Sequence, residues 1–168
     1  MKVAAIQMVS TPRVDDNLQQ ALALVAEAAA AGAELVGLPE YFCLMGRRDA
    51  DKLAIAEPDG HGPLQDALAA AARQHGIWLM GGTLPLQVPH QPGQPGQPER
   101  VFNSTLVWGP DGQRVARYDK IHLFGFRKGA EAYDEAATIE RGDQVIAFDA
   151  PFGRVGAGVK HDPLGDHG

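Results

Sequence analysis

The order of the first three segments constrains the fold of this chain most. A mostly apolar segment over residues 2–9 is followed by a helical pattern over 14–31 and a short apolar segment over 34–39. This order of apolar strand, helix and apolar strand is typical of a parallel β-α-β unit. Gly32 is expected to end the helix, because glycine readily adopts the left-handed conformation found after helix C-termini. We therefore predict an α/β domain.

The predicted first helix has two further features that a structure can test. Asp15 or Asp16 can cap its start, because a carboxylate oxygen can accept hydrogen bonds from the free amides of a helix N-terminus. Apolar side chains recur along it at helical spacing, which predicts a core-facing stripe. The residues of that stripe are Leu18, Leu22, Val25 and Ala29.

The same alternation continues along the chain and predicts a mixed sheet. A second helix is expected over 62–75, with Pro63 in its first turn and Gly76 at its end. Further strands are predicted over 77–82, 101–108, 113–118, 145–148 and 154–159. The Pro/Gly/Gln-rich segment over 90–98 predicts a surface loop, with a partner-binding motif as the alternative.

Charge and cysteine content narrow the classes of function. Lysine and arginine total 15 against 21 acidic residues, giving a net charge of −6. This balance, with a pI near 5.4, argues against nucleic-acid or anionic-membrane partners. No apolar run is long enough to cross a membrane. The single cysteine, Cys43, excludes an internal disulfide framework and a cysteine-rich zinc site, and fits a reducing cytoplasm.

Two charged residues follow predicted strands and are candidates for chemistry. Glu40 comes directly after the strand over 34–39, at the edge where ligands bind in open α/β sheets. Partial burial there would suit a general base, although a structural loop carboxylate is the alternative. Lys120 comes just after the strand over 113–118, and a fixed ammonium can stabilise a developing oxyanion. Its alternative is a simple salt bridge with Asp119.

Other candidates carry weaker arguments. Cys43 could be a nucleophile near a base, or a small buried hydrophobic residue. His122 could act as an acid or base, or be structural. Nothing in the local pattern singles out Glu135 among the four acids between 131 and 140. A metal site in the C-terminal tail would use His161, Asp162, Asp166 and His167.

Taken together, several segments resemble the nitrilase superfamily of carbon–nitrogen hydrolases. The Leu-Pro-Glu sequence at 38–40 resembles its general-base motif, and the segment over 118–124 resembles its lysine motif. The segments 3–8 and 102–104 resemble two of its strands. Glu135, fifteen residues after Lys120, matches the second glutamate of many members. The Lys-Ile-His-Leu-Phe sequence at 120–124 and the position of Glu135 are most similar to the branch of ω-amidases and deaminated-glutathione amidases.

The resemblance implies a fold, a chemistry and three roles. The fold would be part of an α-β-β-α sandwich, usually assembled as a homodimer. The reaction would cleave the C–N bond of a small carboxamide through a cysteine thioester, with no cofactor or metal. By resemblance Glu40 would be the general base, Lys120 would stabilise the oxyanion, and Glu135 would orient Lys120 or the substrate.

The resemblance fails at the position of the nucleophile. Lys160 stands where the family has its cysteine; Asp162 still matches, and the match ends from Pro163 onward. We therefore expect an incomplete hydrolase domain over 1–159 and a non-matching tail over 160–168, as in a truncated or frameshifted chain. Little or no amidase activity is expected. The alternative is an inactive remnant that at most binds a ligand or a partner.

Overall fold

The computed structural model describes residues 1–89, 99–128 and 131–159. The loop expected over 90–98, and the tail over 160–168 with Lys160 and the four candidate metal ligands, lie outside the described residues. The helices are α1 (Val14–Ala30), α2 (Pro63–His75) and two 3₁₀ helices, Asp49–Ile55 and Glu135–Ala137. The strands are β1 (Val3–Ala5), β2 (Leu35–Gly37), β3 (Trp78–Met80), β4 (Leu84–Gln87), β5 (Val101–Trp108), β6 (Arg114–Asp119), β7 (Gly125–Lys128), β8 (Glu131–Asp134), β9 (Ile139–Glu140), β10 (Ile146–Ala150) and β11 (Gly153–Ala157).

The main sheet is mixed, as the sequence predicts. Strands β1, β2 and β3 are parallel neighbours, whereas β5 runs antiparallel to β3, β4 and β6. Strand β9 pairs in parallel with one end of β5. The hairpins β7–β8 and β10–β11 form separate two-stranded sheets. The predicted β-α-β unit and the α/β fold class are confirmed.

Apolar packing fastens the carboxyl ends of the parallel strands. One cluster joins the two helices to one face of the sheet, and Val25, Leu68 and Leu79 within it are fully buried. Phe42 belongs to the same cluster, so the core anchors the segment that follows β2. On the opposite face Trp78 stacks on Phe148, with ring centroids 5.6 Å apart. Hairpin β10–β11 therefore covers part of that second face.

Helix α1 begins differently from the prediction but packs on the core with the predicted residues. Its N-cap is Arg13, without a side-chain cap, and Asp15 and Asp16 lie in the first turn. Acidic side chains there still interact favourably with the helix dipole. The fully buried residues are Asn17, Ala21 and Val25, whereas Leu18, Leu22 and Ala29 are half-buried. All four residues of the predicted stripe thus belong to the core cluster or pack against it, and Asn17 is a buried polar residue beside them.

Helix ends and strand bounds differ in how well they follow the prediction. Gly32 and Gly76 have φ of 86° and 64°, which confirms both helix ends. The strand expected over 154–159 ends at Ala157, and it is not the core strand that its apolar letters suggest. Arg154 and Gly156 are exposed, because within the described chain β11 pairs only with β10. The sequence also gave no sign of β4, β7, β8, β9 or the two 3₁₀ helices.

No helix in the described part of the chain is both long and apolar enough to cross a membrane.

Asn17 ties the chain after β1 to the chain after β2. Its side-chain oxygen accepts from the Thr11 amide at 2.8 Å. Its amide group donates to the Thr11 carbonyl at 2.7 Å and to the Cys43 carbonyl at 2.9 Å. Since Cys43 lies three residues after Glu40, this buried side chain helps to hold the segment that carries Glu40.

Replacing Asn17 with alanine is expected to lower the free energy of unfolding by about 2–3 kcal/mol, because buried partners lose their hydrogen bonds. Urea denaturation would measure the change. The matched control is Gln19→Ala, an exposed position on the same helix, which should change stability by less than about 0.5 kcal/mol. An equal change in both variants would show that the buried hydrogen bonds of Asn17 add nothing to stability, since alanine has the higher helix propensity at both positions.

Candidate active site

Glu40 emerges where the ends of β2 and β3 come unusually close together. The Leu38 amide donates to the Met80 carbonyl at 3.0 Å, which continues the parallel pairing beyond the strands. Gly82 has a φ of 59°, and a Cβ there would lie 2.2 Å from the Pro39 carbonyl oxygen. Only glycine allows this approach. The crossing brings Glu40 to the carboxyl edge of the sheet, as its place in the sequence predicts.

A left-handed residue turns the chain immediately after Glu40. Tyr41 has a φ of 54° and is the one non-glycine residue with positive φ in the described chain. Its amide donates to Thr83 Oγ1 at 2.8 Å, and Thr83 is buried. A non-glycine residue in this conformation is strained and persists only where its surroundings hold it. The turn therefore fixes the direction in which Glu40 leaves the sheet.

Lys120 is held by its backbone on two sides. Its amide donates to the Asn103 carbonyl on β5 at 3.0 Å, and its carbonyl accepts from the Gly142 amide at 3.0 Å. A Cβ on Gly142 would lie 2.2 Å from the Asp119 carbonyl oxygen, so this approach also requires glycine. The backbone of Lys120 is thus fixed directly after β6.

Glu135 begins the second 3₁₀ helix and is bound to the chain on the other side of hairpin β7–β8. Its amide donates to the Phe124 carbonyl at 3.0 Å. Its carboxylate Oε2 accepts from the Phe124 amide at 2.8 Å. The residue is only 4% exposed. These two bonds hold the Glu135 carboxylate toward the interior.

The three acidic and basic side chains meet at the Lys120 ammonium. Lys120 Nζ lies 3.0 Å from Glu40 Oε1 and 2.9 Å from Glu135 Oε2. Asn103 Nδ2 donates to Glu40 Oε1 at 2.9 Å, and the Tyr41 hydroxyl donates to Glu135 Oε1 at 3.1 Å. Lys120 and Glu135 have side chains 5% exposed, whereas that of Glu40 is 32% exposed. Glu40 is therefore the more solvent-accessible of the two carboxylates.

The electrostatics of the cluster keep Lys120 charged. Burial alone would lower the pKa of Lys120, but hydrogen bonds and charge attraction from Glu135 and Glu40 outweigh it and raise the pKa above its ordinary value. The pKa of the Tyr41 hydroxyl is raised strongly, first by burial and then by the negative charges of Glu135 and Glu40. Tyr41 therefore stays protonated and acts as a hydrogen-bond donor.

These raised pKa values predict a loss of stability in alkali. A group whose pKa is higher in the folded than in the unfolded state contributes fully below its unfolded pKa, and loses that contribution as pH rises through its folded pKa. For Lys120 and Tyr41 the loss begins near their ordinary values of 10.5 and 10.0. Melting temperatures should fall steeply above about pH 10. Tyr41→Phe should make this slope shallower, and Lys2→Gln, at an exposed lysine, should leave it unchanged.

The structure also shows the surroundings of Asp119 and His122. Asp119 does not pair with Lys120; its Oδ1 accepts from Arg117 Nε at 3.0 Å and from the Ser104 hydroxyl at 2.5 Å. His122 is exposed. In the described part of the chain, no group of three or more potential ligands is arranged to hold a metal ion.

Cys43 has the surroundings of a core residue. It is 1% exposed, and its thiol donates to the Thr83 carbonyl at 3.7 Å. Burial raises the pKa of the thiol to about 12. A thiol with so high a pKa is not ionised near neutral pH and is a poor nucleophile.

Sequence reasoning missed four residues that build this cluster. Asn103 was noticed only as part of a family strand, although a polar residue inside an apolar strand is itself a signal. Tyr41 is adjacent to Glu40 in the sequence, and nothing in the local pattern predicts its left-handed conformation. Gly82 and Gly142 gave no signal, because close backbone approaches between distant segments leave no local pattern.

A family sequence profile and several known proteins are similar to this chain over most of its length. The sequence profile of the carbon–nitrogen hydrolase family matches residues 2–164. Omega-amidase NIT2 of Homo sapiens is 32% identical over 163 residues, which cover 96% of this chain and 55% of that protein. Deaminated glutathione amidase of Synechocystis sp. (strain PCC 6803 / GT-S) is 32% identical over 162 residues, which cover 95% of this chain and 57% of that protein.

A solved structure is similar over the same extent. Saccharomyces cerevisiae Nit3, a member of branch 10 of the nitrilase superfamily, aligns with a TM-score of 0.77 and 25% identity. The alignment covers 94% of this chain and 54% of Nit3. The chain thus spans about half the length of the proteins it matches.

Proposed function

This chain belongs to the carbon–nitrogen hydrolase family, the nitrilase superfamily, and we propose that Glu40, Lys120 and Glu135 are the acid–base half of an amidase site for small carboxamides. The observation that carries the proposal is the single buried ammonium of Lys120 between two carboxylates. An oxyanion formed beside this ammonium would meet a fixed positive charge in a largely desolvated place.

The two carboxylates of the proposed site have different tasks. Both donors to Glu40, Asn103 and Lys120, engage Oε1 and not Oε2. Oε2 is therefore the oxygen that we assign to proton transfer. Glu135 has both oxygens engaged and is almost fully buried. We assign it the role of holding Lys120 charged and in place.

The proposed chemistry follows from these assignments and needs a thiol. Glu40 takes the thiol proton as the sulfur bonds to the amide carbon, and Lys120 stabilises the resulting oxyanion. The C–N bond then breaks, Glu40 returns the proton to the leaving nitrogen, and a thioester remains. Water next adds to the thioester carbon while Glu40 accepts its proton. The C–S bond then breaks, Glu40 returns this proton to the sulfur, and the carboxylic acid leaves.

The nucleophile is the part that this chain does not provide in the proposed arrangement. Cys43 is buried, and by resemblance the nucleophile belongs at position 160, where the sequence has lysine. An amine that attacked an amide carbon would leave a new amide, which water cleaves far more slowly than a thioester. We therefore propose that the chain as given recognises a carboxamide and does not turn it over.

The relatives suggest the class of ligand. Matched proteins are named as an omega-amidase and a deaminated glutathione amidase. We propose a small molecule with a terminal carboxamide as the ligand, a homodimer as the assembly, and a cytoplasmic location, which the single buried thiol fits.

Titration with succinamate, a monoamide of a dicarboxylic acid, tests the proposal. We expect succinamate to shift the NMR amide signals of Tyr41, Asn103 and Ile121, and no ammonia to be released. Glu40→Gln should weaken binding by about tenfold, the effect of about 1.4 kcal/mol. Glu34→Gln, at an exposed carboxylate, is the matched control and should leave the affinity unchanged.

Two outcomes would contradict this proposal. Binding of succinate as tight as that of succinamate would show that the carboxamide is not recognised. Ammonia release that survives thiol alkylation and stops on chelation would favour a metal-dependent site in the tail instead.

A further inference from the structure

We infer that Asp49 is a positioning residue, which holds Glu135 against Lys120 from outside the proposed site. Its hydrogen bonds go to the segment around Glu135 and not to Glu135 itself. The inference rests on the proposed function only in treating the contact between Glu135 and Lys120 as part of the site. Nothing in the sequence analysis pointed to Asp49, which begins a 3₁₀ helix that was not predicted.

The carboxylate of Asp49 binds the chain on both sides of Glu135. Asp49 Oδ1 accepts from the Tyr133 hydroxyl at 3.1 Å, two residues before Glu135. Asp49 Oδ2 accepts from the Thr138 hydroxyl at 2.6 Å, three residues after Glu135. A single side chain therefore clamps both ends of the short segment that carries Glu135. We refer to Asp49, Tyr133 and Thr138 as the clamp.

A second connection runs from Asp49 back to the turn beside Glu40. Lys52 Nζ donates to Asp49 Oδ1 at 2.6 Å and lies 5.4 Å from the centre of the Tyr41 ring. The Tyr41 hydroxyl in turn donates to Glu135. Since the Lys52 side chain is only 11% exposed, its contacts are largely shielded from water. The segments bearing Glu40 and Glu135 are thus both joined to the same 3₁₀ helix.

The charge state of Asp49 suits this role. Burial alone would raise the pKa of Asp49, but hydrogen bonds from Lys52, Thr138 and Tyr133 outweigh it and lower the pKa below its ordinary value. Asp49 is therefore ionised at neutral pH. Hydrogen bonds to an ionised acceptor are roughly twice as strong as those between neutral groups.

The clamp reinforces a segment that the main sheet holds at one end only. Hairpin β7–β8, directly before Glu135, forms its own two-stranded sheet apart from the main sheet. An isolated two-stranded hairpin is marginally stable in water. The hydrogen bonds between Glu135 and Phe124 connect the residue after β8 to the residue before β7, and so close the hairpin without joining it to the main sheet. The main sheet holds only the far end of the segment, where the Val101 amide donates to the Thr138 carbonyl at 3.0 Å and β9 pairs with β5. The Asp49 side chain adds bonds at both ends, and the Tyr41 hydroxyl adds one at Glu135 itself.

The test is to measure the pKa of Lys120 in the full chain, by recording the NMR signal of its ε-carbon as a function of pH. Glu135, Glu40 and the neighbouring Tyr41 are the titratable groups around the ammonium, and the contact with Glu135 raises its pKa. Loosening Glu135 should therefore lower the pKa of Lys120. Asp49→Asn is expected to lower it by about one unit. The double variant Tyr133→Phe/Thr138→Val removes the same two hydrogen bonds without changing any charge, and should lower it by a similar amount.

The matched control is Asp51→Asn, on the same 3₁₀ helix. The Asp51 carboxylate accepts from the amides of Arg47 and Arg48 and does not reach the Glu135 segment. This variant perturbs the helix locally and should leave the pKa of Lys120 unchanged. A fall in the pKa with Asp51→Asn as large as with Asp49→Asn would overturn the inference.

Two further results would also overturn it. A fall with Asp49→Asn but not with the double variant would assign the effect to the lost charge acting through space. A loss of overall stability in both variants with an unchanged Lys120 titration would make Asp49 a structural tether only. The measurement needs neither ligand nor turnover, so a failure of the succinamate titration would count against the proposed function and not against the clamp.

Discussion

Replacing Lys120 with methionine is expected to lower the free energy of unfolding by about 3–5 kcal/mol at neutral pH, the usual cost of removing one partner from a buried ion pair. Methionine keeps most of the side-chain volume, so the loss comes from charge. Glu40 and Glu135 both contact the ammonium, and Glu135 is almost fully buried. Without Lys120 two carboxylates face each other with no cation between them. Urea denaturation of both proteins measures the difference.

Two comparisons separate this cause from a general loss of packing. Adding Glu135→Gln to Lys120→Met removes one of the facing charges and should recover part of the lost stability. Lowering the pH should also reduce the difference in free energy of unfolding between Lys120→Met and the unaltered protein, because protonation relieves the repulsion between the two carboxylates. Lys2→Met removes an exposed hydrogen bond from the Lys2 ammonium to the Ala31 carbonyl, and should cost no more than about 1 kcal/mol. A gap that stays the same at every pH, and in the double variant, would contradict the electrostatic explanation.

The sequence predicted the parts of the site that follow directly from strand order. Glu40 and Lys120 each come directly after a strand, and strand ends that share one edge of a sheet bring their side chains together. Their convergence could be anticipated for this reason. Glu135 is different, because its own segment holds several acids at no distinctive spacing, and only the family resemblance singled it out. The structure places it against Lys120.

The rest of the site depends on contacts between segments far apart in the chain. Asp49 meets Tyr133 and Thr138 across more than 80 residues, and no period or motif records such a contact. Strand β4 was missed because Pro85 favours a loop when the segment is considered alone. The exposure of Arg154 and Gly156 on β11 has a related reason, since it depends on which strands cover β11 and not on the residues of β11 alone.

Gly82→Ala is expected to cost about 2–5 kcal/mol of stability, through two effects that add. A left-handed φ of 59° costs an alanine about 1–2 kcal/mol. The new methyl group would also lie 2.2 Å from the Pro39 carbonyl oxygen, which is backbone and cannot simply rotate away. Relieving such overlap typically costs about 1–3 kcal/mol more. The Gly82→Ala substitution should also displace Glu40, which directly follows Pro39, and so weaken the contact between Glu40 and Lys120.

Gly76→Ala separates the two effects, because Gly76 has a similar positive φ without the crowding. Gly76 has a φ of 64°, and a Cβ there meets no described atom within 4 Å. It should therefore lose only about 1–2 kcal/mol. Urea denaturation compares the two variants, and the Lys120 titration by NMR should change in Gly82→Ala alone. Equal losses would mean that conformation dominates at both sites, and that the close crossing of β2 and β3 does not set the position of Glu40. A larger loss in Gly82→Ala, together with a changed Lys120 titration, would tie the geometry of the site to a single glycine 42 residues along the chain from the carboxylate it places.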